Sequence, residues 1–152
     1  MRNLLVVFLG TLLLDQATKV LVVLFMDPGQ SVALISDFAR LTFVKNSGAA
    51  FGLLSGNRFP FVFTTVLAVV ALVFFLVESK RKGTRDSLAL SLILAGASGN
   101  LIDRLRLREV VDFMDLGWKD VRWPVFNVAD IAITVGVFLF CYRLVFGKRR
   151  PA

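Results

Sequence analysis

The residues best suited to chemistry in this sequence are aspartates, two of them with an asparagine one helical turn away. Asn100 precedes Asp103, Asn127 precedes Asp130, and Asp112 lies between the two pairs. The chain has no histidine and a single cysteine, Cys141. That composition excludes Ser-His-Asp triads, Cys-His pairs, histidine-metal peptidase sites and an intrachain disulfide. Hydrolytic chemistry must then come from carboxylates, lysine or serine. Two neighbouring carboxylates are the obvious acid and base, one ionised to activate water and one protonated to hydrogen-bond the scissile carbonyl. Such a pair needs no metal and no organic cofactor. Asp103, Asp112 and Asp130 are expected on one membrane face, so three candidates compete for two roles.

The elements that must hold these groups are apolar. Hydrophobic residues make up 57% of the 152, and the mean hydropathy of +0.75 is well above that of an ordinary soluble domain. Four runs, Leu4 to Met26, Phe59 to Val77, Ser87 to Ile102 and Phe126 to Phe146, approach the roughly 17 to 25 residues that cross a bilayer. The expected fold is an all-α integral membrane protein of four transmembrane helices with a small extracytoplasmic β-rich loop region. It is read as one membrane-embedded domain, residues 1–152. The first run lacks a small-x-small cleavage site and resumes after Lys19, so it reads as a retained span rather than a signal peptide.

The formal charge of +7 would suggest nucleic acid in a soluble protein, but here it fits the positive-inside rule. Nine cations, in Arg2, the Lys80 to Arg85 turn and the tail from Arg143, sit densely in three short segments. Eight more are spread over two long loops. Both termini are therefore expected in the cytoplasm, with the two long loops outside and no nucleic-acid partner. The first loop opens on Asp27-Pro28-Gly29 and suits short strands. The second carries Trp118 and Trp123, which favour the headgroup level.

Polar groups inside such spans are informative, because a charge at bilayer depth costs at least about 2.5 to 3.5 kcal/mol. Asp15 and Lys19 share a helix face at i, i+4 and can neutralise each other, as a packing pair or as part of a site. Asn100, Asp103 and Arg104 end the third run, beside the small residues Ala95 to Gly99 that allow close helix approach. Asn127 and Asp130 open the fourth, where a cap and a carboxylate are favoured.

These blocks, Asp15-Gln16-Ala17-Thr18-Lys19, Asn46-Ser47-Gly48-Ala49-Ala50-Phe51-Gly52, Gly99-Asn100 through Asp103-Arg104, Val110-Val111-Asp112-Phe113 and Phe126-Asn127-Val128-Ala129-Asp130, resemble the successive signatures of bacterial lipoprotein signal peptidases. The resemblance covers nearly the whole chain, in order. It implies an aspartic endopeptidase of the inner membrane that removes the signal peptide from a diacylglyceryl prolipoprotein, cutting N-terminal to the lipidated cysteine. It implies Asp112 and Asp130 as the catalytic pair, and Asp15, Lys19, Asn46, Gly48, Asn100, Asp103, Arg104, Asn127 and Ala129 as residues that shape or brace the site. It also implies a monomer in contact with membrane lipid and inhibited by globomycin-type cyclic peptides. A small transporter would explain Asp15 and Lys19 but not carboxylates gathered on one face. A presenilin-type protease would need a Gly-x-Gly-Asp block, which is absent.

Overall fold

The computed structural model describes residues 2–47, 70, 73–74, 77 and 87–146. Helix α1 (Arg2–Phe25) has no proline, and Asp27-Pro28-Gly29 ends the helical path beyond it. Gly29 takes φ +86, a left-handed value that glycine adopts without strain, and its N–H donates to the Phe43 carbonyl at 2.8 Å. The chain thereby turns into β1 (Ser31–Ile35) and β2 (Ala39–Asn46). Beyond these come α2 (Ser87–Arg106), β3 (Val110–Trp118), β4 (Val121–Arg122) and α3 (Val128–Phe146). The strands form one antiparallel sheet in the order β1-β2-β3-β4.

The expectation of an all-α protein of four transmembrane helices is corrected by this architecture. Among the described residues there are three helices and a four-stranded sheet. Two helical stretches, Leu4–Phe25 and Ser87–Arg106, are long and apolar enough to cross a membrane. The physical reason is that Val110–Trp118, read from local composition as an interfacial loop, finds partners along the eight residues of β2 and becomes the longest strand. The expected run from Phe59 to Val77 lies outside the described residues apart from four helical positions.

Helices α1 and α2 run parallel, since Asp15 lies against Gly99 and Lys19 against Asp103. Helix α3 runs antiparallel to α2, with Ala129 against Gly96 and Gly136 against Ala89 and Ile93. The C-terminal ends of α1 and α2, the N-terminal end of α3 and the sheet therefore share one end of the molecule. There Val22 of α1 packs with Phe43, Val111 and Phe113 into a small apolar core.

Two details of the sheet aim the site. A bulge in β2 between Leu41, opposite Met114, and Val44, opposite Asp112, inserts one extra residue beside the core. Phe126 bridges to Met114 through paired backbone hydrogen bonds, which hold the start of α3 against β3. Farther along β3, Asp115 accepts Thr42 Oγ1 at 2.7 Å and Arg122 Nε at 2.6 Å, tying β2, β3 and β4 together. Burial alone would raise the Asp115 carboxyl, but those two hydrogen bonds and the Arg122 and Arg40 charges hold it below its ordinary value.

A Cβ on Gly136 would lie 2.6 Å from Ile93 Cγ1 and 2.8 Å from the Ala89 carbonyl. Gly136→Ala should therefore overpack the α2–α3 contact by about 1–3 kcal/mol. Thermal unfolding in detergent should show a lowered Tm.

Candidate active site

Asp112 sits on β3 between Val111 and Phe113, whose side chains pack in the core with Val22 and Phe43, and its own carboxyl meets Asn127 at the start of α3 and Asn46 of β2. It is 2% exposed. Its Oδ1 accepts Asn127 Nδ2 at 2.6 Å and its Oδ2 accepts Asn46 Nδ2 at 2.9 Å. Burial pushes the carboxyl up from 3.8 to about 6 and the Asp130 charge adds to it, against the Asn46 and Asn127 hydrogen bonds and the Lys19 charge.

Asp130 is the third residue of α3. Its N–H donates to Asn127 Oδ1 at 3.0 Å, and its Oδ2 accepts the Asn127 N–H at 3.2 Å. This reciprocal pair is a capping box built from Asn and Asp, so the helix start and the carboxyl position are one feature. The remaining oxygen, Oδ1, accepts Asn100 Nδ2 at 2.9 Å. Asn127 is fully buried, and its amide nitrogen also reaches Asn100 Oδ1 at 3.2 Å. Asn100 and Asn127 thus link the two carboxyls.

Behind them lies a second cluster. Lys19 Nζ is 3.0 Å from Asp15 Oδ2 and 2.9 Å from Asp103 Oδ2, and it donates to Asn100 Oδ1 at 2.8 Å. All three charged side chains are at least 96% buried. Asp15 Oδ1 accepts the Ala129 N–H at 2.9 Å and Asp103 Oδ2 accepts the Val111 N–H at 3.2 Å. Arg104 is half-buried, donates to the Asn100 carbonyl at 3.3 Å and lies within Coulombic reach of Asp103, Asp112 and Asp130.

Asp15, Lys19, Asn46, Asn100, Asp103, Arg104, Asp112, Asn127, Ala129 and Asp130 therefore come together, and Gly48 lies outside the described residues. Sequence reasoning passed over Gln16. Its Nε2 donates to Asp15 Oδ2 at 3.1 Å, to the Gly99 carbonyl at 3.2 Å and to Asp103 Oδ1 at 3.1 Å. The signal was available, because an amide in the middle of an apolar helix needs partners as an ionised group does. Among the described residues no group of histidine, cysteine and carboxylate side chains suits a metal ion.

A buried and a half-buried carboxyl, joined through asparagines and backed by paired charges at the common end of apolar helices and a small sheet, define a class of membrane enzyme. Two solved bacterial membrane enzymes have this fold. One, determined by the in meso method at 2.3 Å resolution, superposes with a TM-score of 0.87 at 33% identity over 100% of this chain and 95% of its own. The other, at 1.9 Å, gives 0.87 at 34% over 97% and 96%. Residues 7–146 match the family described as signal peptidase (SPase) II, and the chain belongs to that family of membrane peptidases. It is 46% identical to the lipoprotein signal peptidase of Geobacter sulfurreducens over 96% of this chain and 93% of the relative. To that of Brevibacillus brevis it is 48% identical over 82% of each.

The raised Asp112 carboxyl has a stability consequence. Its favourable contribution is complete below the ordinary value of 3.8 and is lost as pH rises through about 6. The chain has no histidine to mask this window. Between pH 4 and 7 the Tm of the wild type should fall relative to that of Asp112→Asn, as followed by thermal melts at matched ionic strength.

Proposed function

We propose that this chain is an aspartic endopeptidase that removes the signal peptide from prolipoproteins, cutting on the N-terminal side of a diacylglyceryl-modified cysteine. Asp112 and Asp130 are its acid and base. The observation that carries the reading is the linkage of these two carboxyls through Asn127 and Asn100, with burial first and the Asp130 charge after it raising the Asp112 carboxyl. Two such groups do not both ionise cheaply, so they hold one proton between them. The ionised member takes a proton from water as it attacks the scissile carbonyl. The protonated member hydrogen-bonds the carbonyl oxygen and later helps protonate the departing amine.

The supporting residues divide by what they touch. Asn46, Asn100 and Asn127 donate to the pair, and Asp15, Lys19, Asp103 and Ala129 hold the elements that carry it. Arg104 adds positive charge beside it, and Gly48 belongs to the same set by sequence block. The whole chain acts as one domain and as a monomer, multi-pass, with both termini cytoplasmic and the site near the extracytoplasmic face. Exposed Leu105, Leu107, Trp118 and Trp123 around that end suit membrane lipid. Globomycin-type cyclic peptides are the expected inhibitors.

Incubated with a diacylglyceryl prolipoprotein, the purified protein should produce a mass loss equal to the signal peptide. Asp112→Asn and Asp130→Asn should each stay folded, bind substrate and lose turnover by about 10² to 10⁴. Asp103→Asn should act chiefly through a lower Tm and weaker binding. An inert but folded and substrate-binding Asp103→Asn beside a near-normal Asp112→Asn would move the pair to Asp103 with Asp130. For orientation, a cysteine replacing exposed Trp118 in a Cys141→Ala background should label from outside intact cells. Labelling only after lysis would reverse it.

A further inference from the structure

Lys19 makes no hydrogen bond or ion pair to Asp112 or Asp130, yet each partner of its ammonium leads to one of them. Asp15 grips the N–H of Ala129, the residue before Asp130. Asp103 grips the N–H of Val111, the residue before Asp112. Asn100 presents its carbonyl end to the ammonium, so its amide nitrogen is left to face Asp130. An ammonium has three N–H groups, and here there are three acceptors. Resting on the assignment of Asp112 and Asp130 as the catalytic pair, we propose that Lys19 is its positioning residue. One buried cation, acting through Asp15, Asp103 and Asn100, sets the separation of the two carboxyls.

A packing ion pair would need one carboxylate. Lys19 holds two, and the surplus negative charge is met by Gln16 and by the two backbone N–H groups that flank the catalytic aspartates. Those N–H groups come from different elements, Ala129 from α3 and Val111 from β3. A shift of either carboxylate therefore moves one member of the pair against the other. Among the described residues, the charged groups facing the pair are Asp15 and Lys19 from α1 and Asp103 and Arg104 from α2. Of these charged groups Lys19 alone touches both Asp15 and Asp103, and the neutral Gln16 amide spans the same two carboxylates.

The test compares wild type with a neutral set, Asp15→Asn, Lys19→Met and Asp103→Asn together, in which the asparagine oxygens can still accept the two N–H groups. A milder variant, Asp15→Asn with Lys19→Gln, keeps Asp103 with Gln16 and Val111 as its partners. Each is purified, melted, and assayed for kcat and KM on a diacylglyceryl prolipoprotein from pH 4 to 9. Positioning predicts cooperative melts, nearly unchanged KM and a kcat lowered about 10²-fold, the scale of a misplacement of about 1 Å. It also predicts a narrower bell in the pH profile, because two carboxyls held farther apart titrate more nearly alike. A folded variant with the wild-type kcat and bell width would overturn the proposal. Failure of both variants to fold would overturn it too, leaving Lys19 a role in holding the fold together. Asp112→Asn and Asp130→Asn run in the same assay separate the two readings. Near-wild-type turnover in either one defeats the catalytic pair itself, whereas strongly impaired aspartate variants beside unaffected Lys19 variants defeat only the clamp.

Discussion

The structure depends on how a cation in the middle of an apolar helix is kept out of hydrocarbon. Lys19 cannot face lipid without a cost of several kcal/mol, and a buried ion stripped of its partners costs about 3–5 kcal/mol. Its face of α1 must therefore meet α2 where Asp103 and Asn100 stand, and Asp15 one turn back must meet Gly99. Gly99 is required there because a Cβ would collide with the Asp15 carboxylate. The register of α1 on α2 is thus fixed by charge. Asp15 and Asp103 then extend that register to α3 and β3 through single backbone N–H groups. A layer of helices and a sheet, which meet in the small apolar core around Val22 and Phe43, are further locked to one another by buried polar bonds.

The two central carboxyls come from elements with different mechanical properties. Asp112 is held by a strand whose neighbours Val111 and Phe113 are packed against Val22 and Phe43, so its backbone has little freedom. Asp130 is held by a helix cap, and rotating its side chain would break the capping box with Asn127. Asn127 serves both, since it caps α3 with its oxygen and donates to Asp112 with its nitrogen. Loss of that one amide would free a helix terminus and strand a buried carboxyl at once. Local stability and the geometry of the site are the same interactions.

What the sequence made legible follows from this. Intramembrane polar groups stand out against Leu, Val and Phe, so Asp15, Lys19, Asn100, Asp103, Asn127 and Asp130 could be picked out by type and spacing, and the i, i+4 pair is present. Which of three aspartates belong together could not be read from spacing, because the decision lies in tertiary contacts. Asp103 is committed to Lys19 and Val111, whereas Asp112 is brought to Asn127 by the Met114 to Phe126 bridge between distant segments. Short strands were legible in the first loop, but their partner β3 was hidden for the same reason. The β2–β3 pairing joins residues about 70 apart, and its bulge between Leu41 and Val44 has no local signature. An all-helical reading follows naturally from hydropathy, which registers how apolar a segment is and not whether its backbone partners lie within it.

The order of burial across the site gives the chemistry its direction. Asn46 is exposed and Asp130 half-buried, Asp112 is 2% exposed, and Asn127 and Asp15 are fully enclosed. Among the described residues the exposed side of the pair is the Asn46 side, while the charges that hold it lie on the enclosed side. Asp112, almost fully enclosed, is raised by that burial to about 6. Were Lys19 and its carboxylates on the wet side, water would screen them and they could not fix the asparagine amides. Under the proposed reaction, a pair on the enclosed side would be out of reach of the nucleophilic water. The sheet resolves this conflict by supplying Asp112 and Asn46 from outside the helical layer, so that the cation works from within the apolar layer and the carboxyls work at its edge.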